Sequence, residues 1–100
     1  MLANGVGVNC NTGVSTTICS WTADGLKKFV GCFISSQYGG YARLYVGGVE
    51  KWRLDLPYPG CPATEIVDQP VIPNPGIVYE LKFYHENGVA VPASGAILGN

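Results

Sequence analysis

Apolar and polar residues alternate with a period of two along much of this chain, which is the spacing of β-strands rather than of helices. The clearest case is residues 41–46. One face of this segment carries Ala42, Leu44 and Val46, and the other carries Tyr41, Arg43 and Tyr45. The pair Gly47-Gly48 follows, and glycine adopts the positive φ of a two-residue turn at no steric cost. Because residues 49–54 then run back, we predict a β-hairpin centred on this glycine pair.

A second alternating segment, residues 77–85, predicts a half-buried strand. Its inward side chains are Tyr79, Leu81 and Phe83, and its outward side chains are Glu80, Lys82 and Tyr84. Turn sequences bound it on both sides, with Asn74-Pro75-Gly76 before it and Glu86-Asn87-Gly88 after it.

Weaker strand patterns cover residues 5–9, 15–21, 27–35, 63–67 and 94–98. Residues 23–28 are predicted to form a turn, because Gly25 disfavours a helix and Asp24 can cap such a turn with its own side chain. All but one of the seven prolines lie between residues 57 and 75. Proline cannot donate to a sheet ladder, so this third of the chain should contain loops and an edge strand.

Seven or eight short strands at this spacing predict an all-β fold, an antiparallel β-sandwich of jelly-roll-like topology. A chain of 100 residues is long enough for one domain, which we assign to residues 12–100. Residues 1–11 are expected to form an N-terminal arm or the first edge strand. The predicted core consists of Phe29, Phe33, Leu44, Val46, Trp52, Leu54, Tyr79, Leu81, Phe83, Ile97 and Leu98.

Charged residues make up only 13% of the chain, about half the usual share, and the net charge is -1. No basic patch is present that could neutralise phosphates, so we expect no direct nucleic-acid partner. No targeting segment and no apolar stretch of about 20 residues is visible, so we expect synthesis in the cytoplasm and no membrane partner.

The four cysteines, Cys10, Cys19, Cys32 and Cys61, are candidates for disulfides. Cys32 lies in an apolar run and is expected to be a small buried hydrophobe. Cys10 and Cys61 lie in turn-like settings, where a thiol is exposed unless it is bonded. Three pairings within the chain are possible, as are bridges between subunits. No Cys-x-x-Cys spacing occurs, so no metal site is predicted.

No arrangement of catalytic residues is apparent, and we predict neither an enzyme nor a cofactor. His85 and Glu86 are neighbours in sequence, but adjacent residues of a strand point to opposite faces. The glycine pairs lack the lysine and the helix start of a phosphate-binding loop.

Aromatic residues, 11% of the chain, support two interpretations. Tyrosine and tryptophan rings can stack on sugars, so a carbohydrate-binding module is the alternative function. They also anchor protein interfaces. We favour interfaces, and the interface candidates are Tyr41, Arg43, Tyr45, Tyr58 and Tyr84.

Four segments carry a resemblance to a known class of proteins. They are residues 22–30, the hairpin 42–49 with Lys51-Trp52, residues 74–85 and residues 94–99. In order and spacing they resemble small β-sandwich domains of tailed-bacteriophage virion proteins, of the capsid-decoration, neck-accessory and fibre-associated kind. The resemblance implies a non-enzymatic structural protein located in the virion, which docks on the major capsid or neck protein. Burial of apolar area at repeated, symmetric contacts further predicts a homo-oligomer, for which a cyclic trimer is the first expectation.

This resemblance accounts for two features of the composition. A subunit held among neighbours can present a neutral surface, because much of that surface is covered. A virion protein is made in a reducing cytosol but works outside the cell, where disulfides persist.

Overall fold

Eight β-strands form the fold in the computed structural model, which describes residues 2–9, 15–38, 40–58, 60–84 and 91–100. The strands are β1 (Ala3–Asn9), β2 (Ser15–Thr22), β3 (Phe29–Ser35), β4 (Tyr41–Val46), β5 (Val49–Asp55), β6 (Ala63–Val71), β7 (Val78–Tyr84) and β8 (Val91–Gly99). Within the described ranges, no helix is present that could cross a membrane.

The strands form two antiparallel sheets of four, in the orders β1-β8-β3-β6 and β2-β7-β4-β5. The first strand pairs with the eighth, the second with the seventh, the third with the sixth and the fourth with the fifth. This is the strand order of a jelly roll, in which one long antiparallel ribbon folds over into two sheets. The predicted fold class is confirmed.

The predicted turns at residues 23–28, 47–48 and 74–76 are confirmed, the last with a φ of 92° at Gly76, whereas the turn predicted at residues 86–88 lies outside the described residues. Gly47 and Gly48 have φ values of 60° and 84°, and they join the paired residues Val46 and Val49 in a two-residue hairpin. In the turn at residues 23–28, Asp24 Oδ1 accepts hydrogen bonds from the backbone N–H groups of Leu26 and Lys27, at 2.9 and 3.1 Å. These bonds lower the pKa of Asp24.

The core lies between the two sheets, and most of its predicted members are confirmed. The largest fully buried side chains are Phe83, Ile34, Leu44, Leu81, Ile97 and Cys32. Phe29, Leu54 and Tyr79 are also buried, while Val46 and Trp52 are partly buried and pack against the core. Strands β4 and β7 keep the predicted alternation, with every second side chain directed inward.

Phe33 and Leu98 were expected in the core, and this prediction is wrong. A β-bulge between Phe29 and Gly31 shifts the alternation of β3, so that Phe29 and Cys32 both point inward. Phe33 therefore faces outward and pairs with Ala96 of β8. Phe33 is only partly buried, because a one-residue shift moves a strand's side chains to the opposite face. Leu98 is also only partly buried, because it alternates along β8 with the fully buried Ile97.

The proline-rich third contains loops and the edge strand β6, as predicted, with Pro70 inside β6. Strand β1 forms an edge of the first sheet and pairs with β8 along Ala3–Asn9.

Three connections meet at one end of the sandwich, residues 23–28, 47–48 and 72–77, and we call this the turn end. Residues 23–28 and 72–77 are joined by hydrogen bonds from Ala23 N to Ile77 O at 2.8 Å and from Gly76 N to Ala23 O at 2.9 Å. The hairpin turn is joined to the start of β7 by a bond from Gly47 N to Val78 O at 2.9 Å. At the opposite end, Leu56 N donates to Gly40 O at 3.1 Å and Gly60 N to Ser36 O at 3.0 Å.

Candidate interaction surface

The outer face of the second sheet gathers four of the five interface candidates. Tyr41, Arg43 and Tyr45 project from β4, and Tyr84 projects from β7, where it is the register partner of Tyr41. We call these four residues the Tyr–Arg face. Tyr58 is not part of it, because it lies in the loop after β5, with 64% of its surface exposed.

The rings of the Tyr–Arg face are held by one another. Tyr41 and Tyr84 stack with centroids 5.0 Å apart and planes 9° from parallel. The Tyr45 and Tyr84 hydroxyls share a hydrogen bond of 3.1 Å, which raises the pKa of Tyr45. The Arg43 guanidinium carbon lies 5.4 Å from the Tyr41 ring centre and 5.1 Å from that of Tyr84. The three rings and the cation therefore form one packed layer.

Charges around this layer are paired across neighbouring strands or along one strand. The contacts are Arg43 Nε to Glu50 Oε1 at 3.0 Å, Arg53 Nη2 to Asp55 Oδ1 at 3.1 Å and Lys82 Nζ to Glu80 Oε1 at 3.5 Å. The first is a charge contact without hydrogen-bond geometry. All six side chains are at least 32% exposed, so each pair adds little stability. The three pairs hold the cations Arg43, Arg53 and Lys82 close to the tyrosine rings.

This arrangement has the composition of a protein interface. Tyrosine and arginine are enriched at the energetic centres of interfaces, and a polar rim usually surrounds such a centre. Side chains that already hold one another lose little rotamer freedom when a partner binds.

The same contacts leave little room for stacking a sugar. The Tyr41 ring is flanked by Tyr84 on one neighbouring strand and by Arg53 on the other, whose guanidinium carbon lies 3.8 Å from the ring centre. Lys82 Nζ lies 5.3 Å from the centre of the Tyr45 ring. The two tryptophans pack against the core, with Trp21 on Tyr79 at 5.2 Å and Trp52 on Phe29 at 5.6 Å.

The described residues offer no grouping of three or more His, Cys, Asp or Glu that could hold a metal ion. A shallow cavity of about 330 Å³ lies at the end of the first sheet and is lined by Ser35, Ser36, Gln37, Pro92, Ala93 and Ser94. The buried Ser36 hydroxyl donates to Pro92 O at 3.0 Å and accepts from Tyr38 N at 3.2 Å. This hydroxyl therefore has a structural role. His85 and Glu86 lie outside the described residues.

Three of the four disulfide candidates, Cys19, Cys32 and Cys61, are free thiols, and Cys10 lies outside the described residues. Cys19 and Cys32 are buried in the core, and burial raises their pKa values to about 11 and about 12. Cys61 is partly exposed. Of these three, only Cys61 is placed to react with a reagent or with a neighbouring subunit.

We expect iodoacetamide at pH 8 to alkylate Cys61 in the native protein and to leave Cys19 and Cys32 unmodified. The buried thiols are shielded, and their raised pKa values keep them protonated, whereas the thiolate is the reactive form. Peptide mass spectrometry measures the modification of each site, and unfolding in urea should expose all three. Native labelling of Cys32 at the rate of Cys61 would contradict this placement.

Sequence reasoning found all four residues of the Tyr–Arg face but missed the charged side chains that pack beside its rings, Arg53 and Lys82. Arg53 is separated from Tyr41 by the hairpin turn, and the β-bulge of β5 decides which of its residues share the outer face. The alternation of β7 did place Lys82 outward, but only the register brings it beside Arg43.

No protein-family model, curated protein or solved structure matches this chain.

Proposed function

We propose that this protein is a non-enzymatic structural subunit of a bacteriophage virion, which docks on the capsid or neck and stabilises it. The observation that carries the proposal is the Tyr–Arg face, where stacked rings and paired cations are fixed before any partner binds. The sequence resemblance to small virion β-sandwiches supports it, and jelly rolls are common among viral capsid domains.

The low charge of the chain supports the same proposal. Three of its six cations and three of its seven carboxylates are paired with one another around the Tyr–Arg face. Covering paired charges costs less than covering unpaired ones, because each ion keeps its partner when water is removed.

We also propose that the subunit forms a homo-oligomer with closed symmetry, with a trimer as the first expectation. Its contacts should not use the strand edges of β5 and β6. The edge strand β6 contains Pro70. The edge strand β5 has a bulge between Glu50, which pairs with Tyr45, and Trp52, which pairs with Leu44. Both features oppose pairing with a further strand.

The test replaces Tyr41 and Tyr84 together by alanine in the phage genome. Truncating both residues should weaken docking by at least about thirtyfold, since even one interface anchor typically contributes about 2 kcal/mol. Quantitative mass spectrometry of purified particles counts the retained copies. Tyr38→Ala is the matched control, because Tyr38 is 53% exposed and lies outside the face.

Two results would overturn the proposed function, and a third would overturn the choice of docking surface. Absence of the wild-type chain from particles would exclude a virion role. Binding of the isolated chain to a glycan array, lost in the double variant, would establish the carbohydrate-binding alternative. Equal retention of the double variant and the Tyr38→Ala control would show that docking uses another surface.

A further inference from the structure

The turn end of the sandwich collects most of the large apolar side chains that the described residues expose. These are Leu26 at 78% exposure, Val49 at 70%, Val71 at 65%, Ile72 at 48% and Val78 at 43%. The three other strongly exposed members of this class are Tyr38, Tyr58 and Ile66, which lie elsewhere. A cluster of exposed apolar side chains on a soluble domain usually marks an interaction site.

Topology brings these side chains together from four separate parts of the chain. Val71 is the last residue of β6 and pairs with Phe29, the first residue of β3. Val49 follows the hairpin turn, and Gly47 N of that turn bonds to Val78 O at 2.9 Å. Leu26 occupies the turn that bonds to residue 77 through Ala23.

Three cations without an ion pair among the described residues lie beside this apolar cluster, and one of them, Lys51, has its Nζ 5.3 Å from the centre of the Trp52 ring. Arg43, Arg53 and Lys82 are each paired with a carboxylate. No described carboxylate forms an ion pair with Lys27, Lys28 or Lys51, all of which are exposed. The first two directly follow Leu26, and Lys51 is two residues beyond Val49. The nearest carboxylate in sequence, Asp24, accepts hydrogen bonds from the backbone of its own turn.

We infer that the turn end is a second docking surface, for a protein surface that is apolar at its centre and bears carboxylates at its rim. The inference rests on the proposed function and deepens it by naming the chemistry of a partner. Asp24 offsets part of the charge of Lys27, and the remaining positive charge of Lys27, Lys28 and Lys51 would be complemented by carboxylates of a partner. A second copy placed end to end would instead bring like charges together.

The shape of the turn end favours a protein over a lipid surface. Val49, Val71 and Val78 lie in or at the ends of strands, and the hairpin beside them has a two-residue turn. These side chains are therefore flush with the end of the sandwich instead of standing out on a long loop. The apolar cluster also contains no tryptophan or tyrosine, the residues that anchor proteins at a bilayer surface.

The two surfaces have different positions on the subunit. The Tyr–Arg face lies on the side of the sandwich and the turn end closes one of its ends, so the subunit can contact two different neighbours at once. A subunit with two separate contacts links its neighbours and gains avidity from that linkage.

Carbodiimide coupling of intact particles tests the inference, because this reagent joins a lysine amine only to a carboxylate in direct contact. We expect amide cross-links from Lys27, Lys28 or Lys51 to aspartate or glutamate of a different virion protein. Leu26→Ser should reduce particle affinity about tenfold, because it removes one leucine side chain that the partner would largely bury. Ile66→Ser is the matched control, because Ile66 is exposed to 51% but lies on the outer face of the first sheet.

Three results would overturn the inference while leaving the proposed function intact. One is the presence of the chain in particles without any cross-link from these lysines. A second is cross-linking only to another copy of this chain. The third is Leu26-dependent binding of the isolated chain to phosphatidylserine vesicles, which would assign the turn end to a membrane. Absence of the chain from particles would remove the proposed function, and the inference with it.

Discussion

Replacing Phe83 by alanine is expected to lower the free energy of unfolding by about 3–5 kcal/mol. Phe83 is 1% exposed and lies on β7, a central strand that pairs with β2 on one side and β4 on the other. Removing its ring leaves a cavity that the two flanking strands cannot close without losing their own pairing. Urea denaturation at neutral pH measures the change.

Phe33→Ala is the matched control, because it removes the same ring from the outer face of the first sheet. We expect this change to cost about 1 kcal/mol or less, the usual effect of a substitution outside the core. If Phe83→Ala does not fold, Phe83→Leu gives a smaller loss that can be measured. Equal losses for Phe83→Ala and Phe33→Ala would contradict the assignment of inner and outer faces.

Replacing Gly40 by alanine is expected to destabilise the fold by about 3–5 kcal/mol, from backbone strain and overpacking together. Gly40 has a φ of 120°, a conformation that side chains rarely adopt. An added Cβ would overlap the Tyr84 carbonyl oxygen and lie 2.7 Å from Cζ of Phe83. Neither neighbour can move freely, because Tyr84 is paired in the sheet and Phe83 is in the core.

Gly48→Ala separates the two causes of that loss. Gly48 also has a positive φ, 84°, but no atom lies within 4 Å of its added Cβ. Strain alone should cost about 1–2 kcal/mol. A similar urea midpoint for both variants would show that the close approach at Gly40 contributes nothing.

The parts of the fold that could be predicted are those governed by local chemistry. The glycine pair Gly47-Gly48 specified its hairpin, because only a residue without a side chain reaches both positive φ values easily. Alternation in β7 correctly placed Phe83 inward and Tyr84 outward. Strand β3 was misassigned in part because its apolar residues fall on both faces, so the pattern contained no sign of the bulge after Phe29.

The candidate surfaces required knowledge of the topology. The sequence placed Tyr41, Arg43 and Tyr45 on one strand face, but only the pairing of β4 with β7 brings Tyr84 onto Tyr41. The apolar cluster of the turn end gave no local signal, because its members come from segments up to 52 residues apart, Leu26 to Val78. Each of them is an ordinary single apolar residue when considered alone.

We propose above all that neighbours in a virion cover the uncharged and self-paired surfaces of this chain. Hydroxyl-radical footprinting tests it most directly, by comparing the isolated protein with the same protein in intact particles. We predict reduced labelling in particles at Tyr41, Tyr45 and Tyr84 of the Tyr–Arg face and at Leu26 of the turn end. Equal labelling of these residues in both samples would contradict the claim.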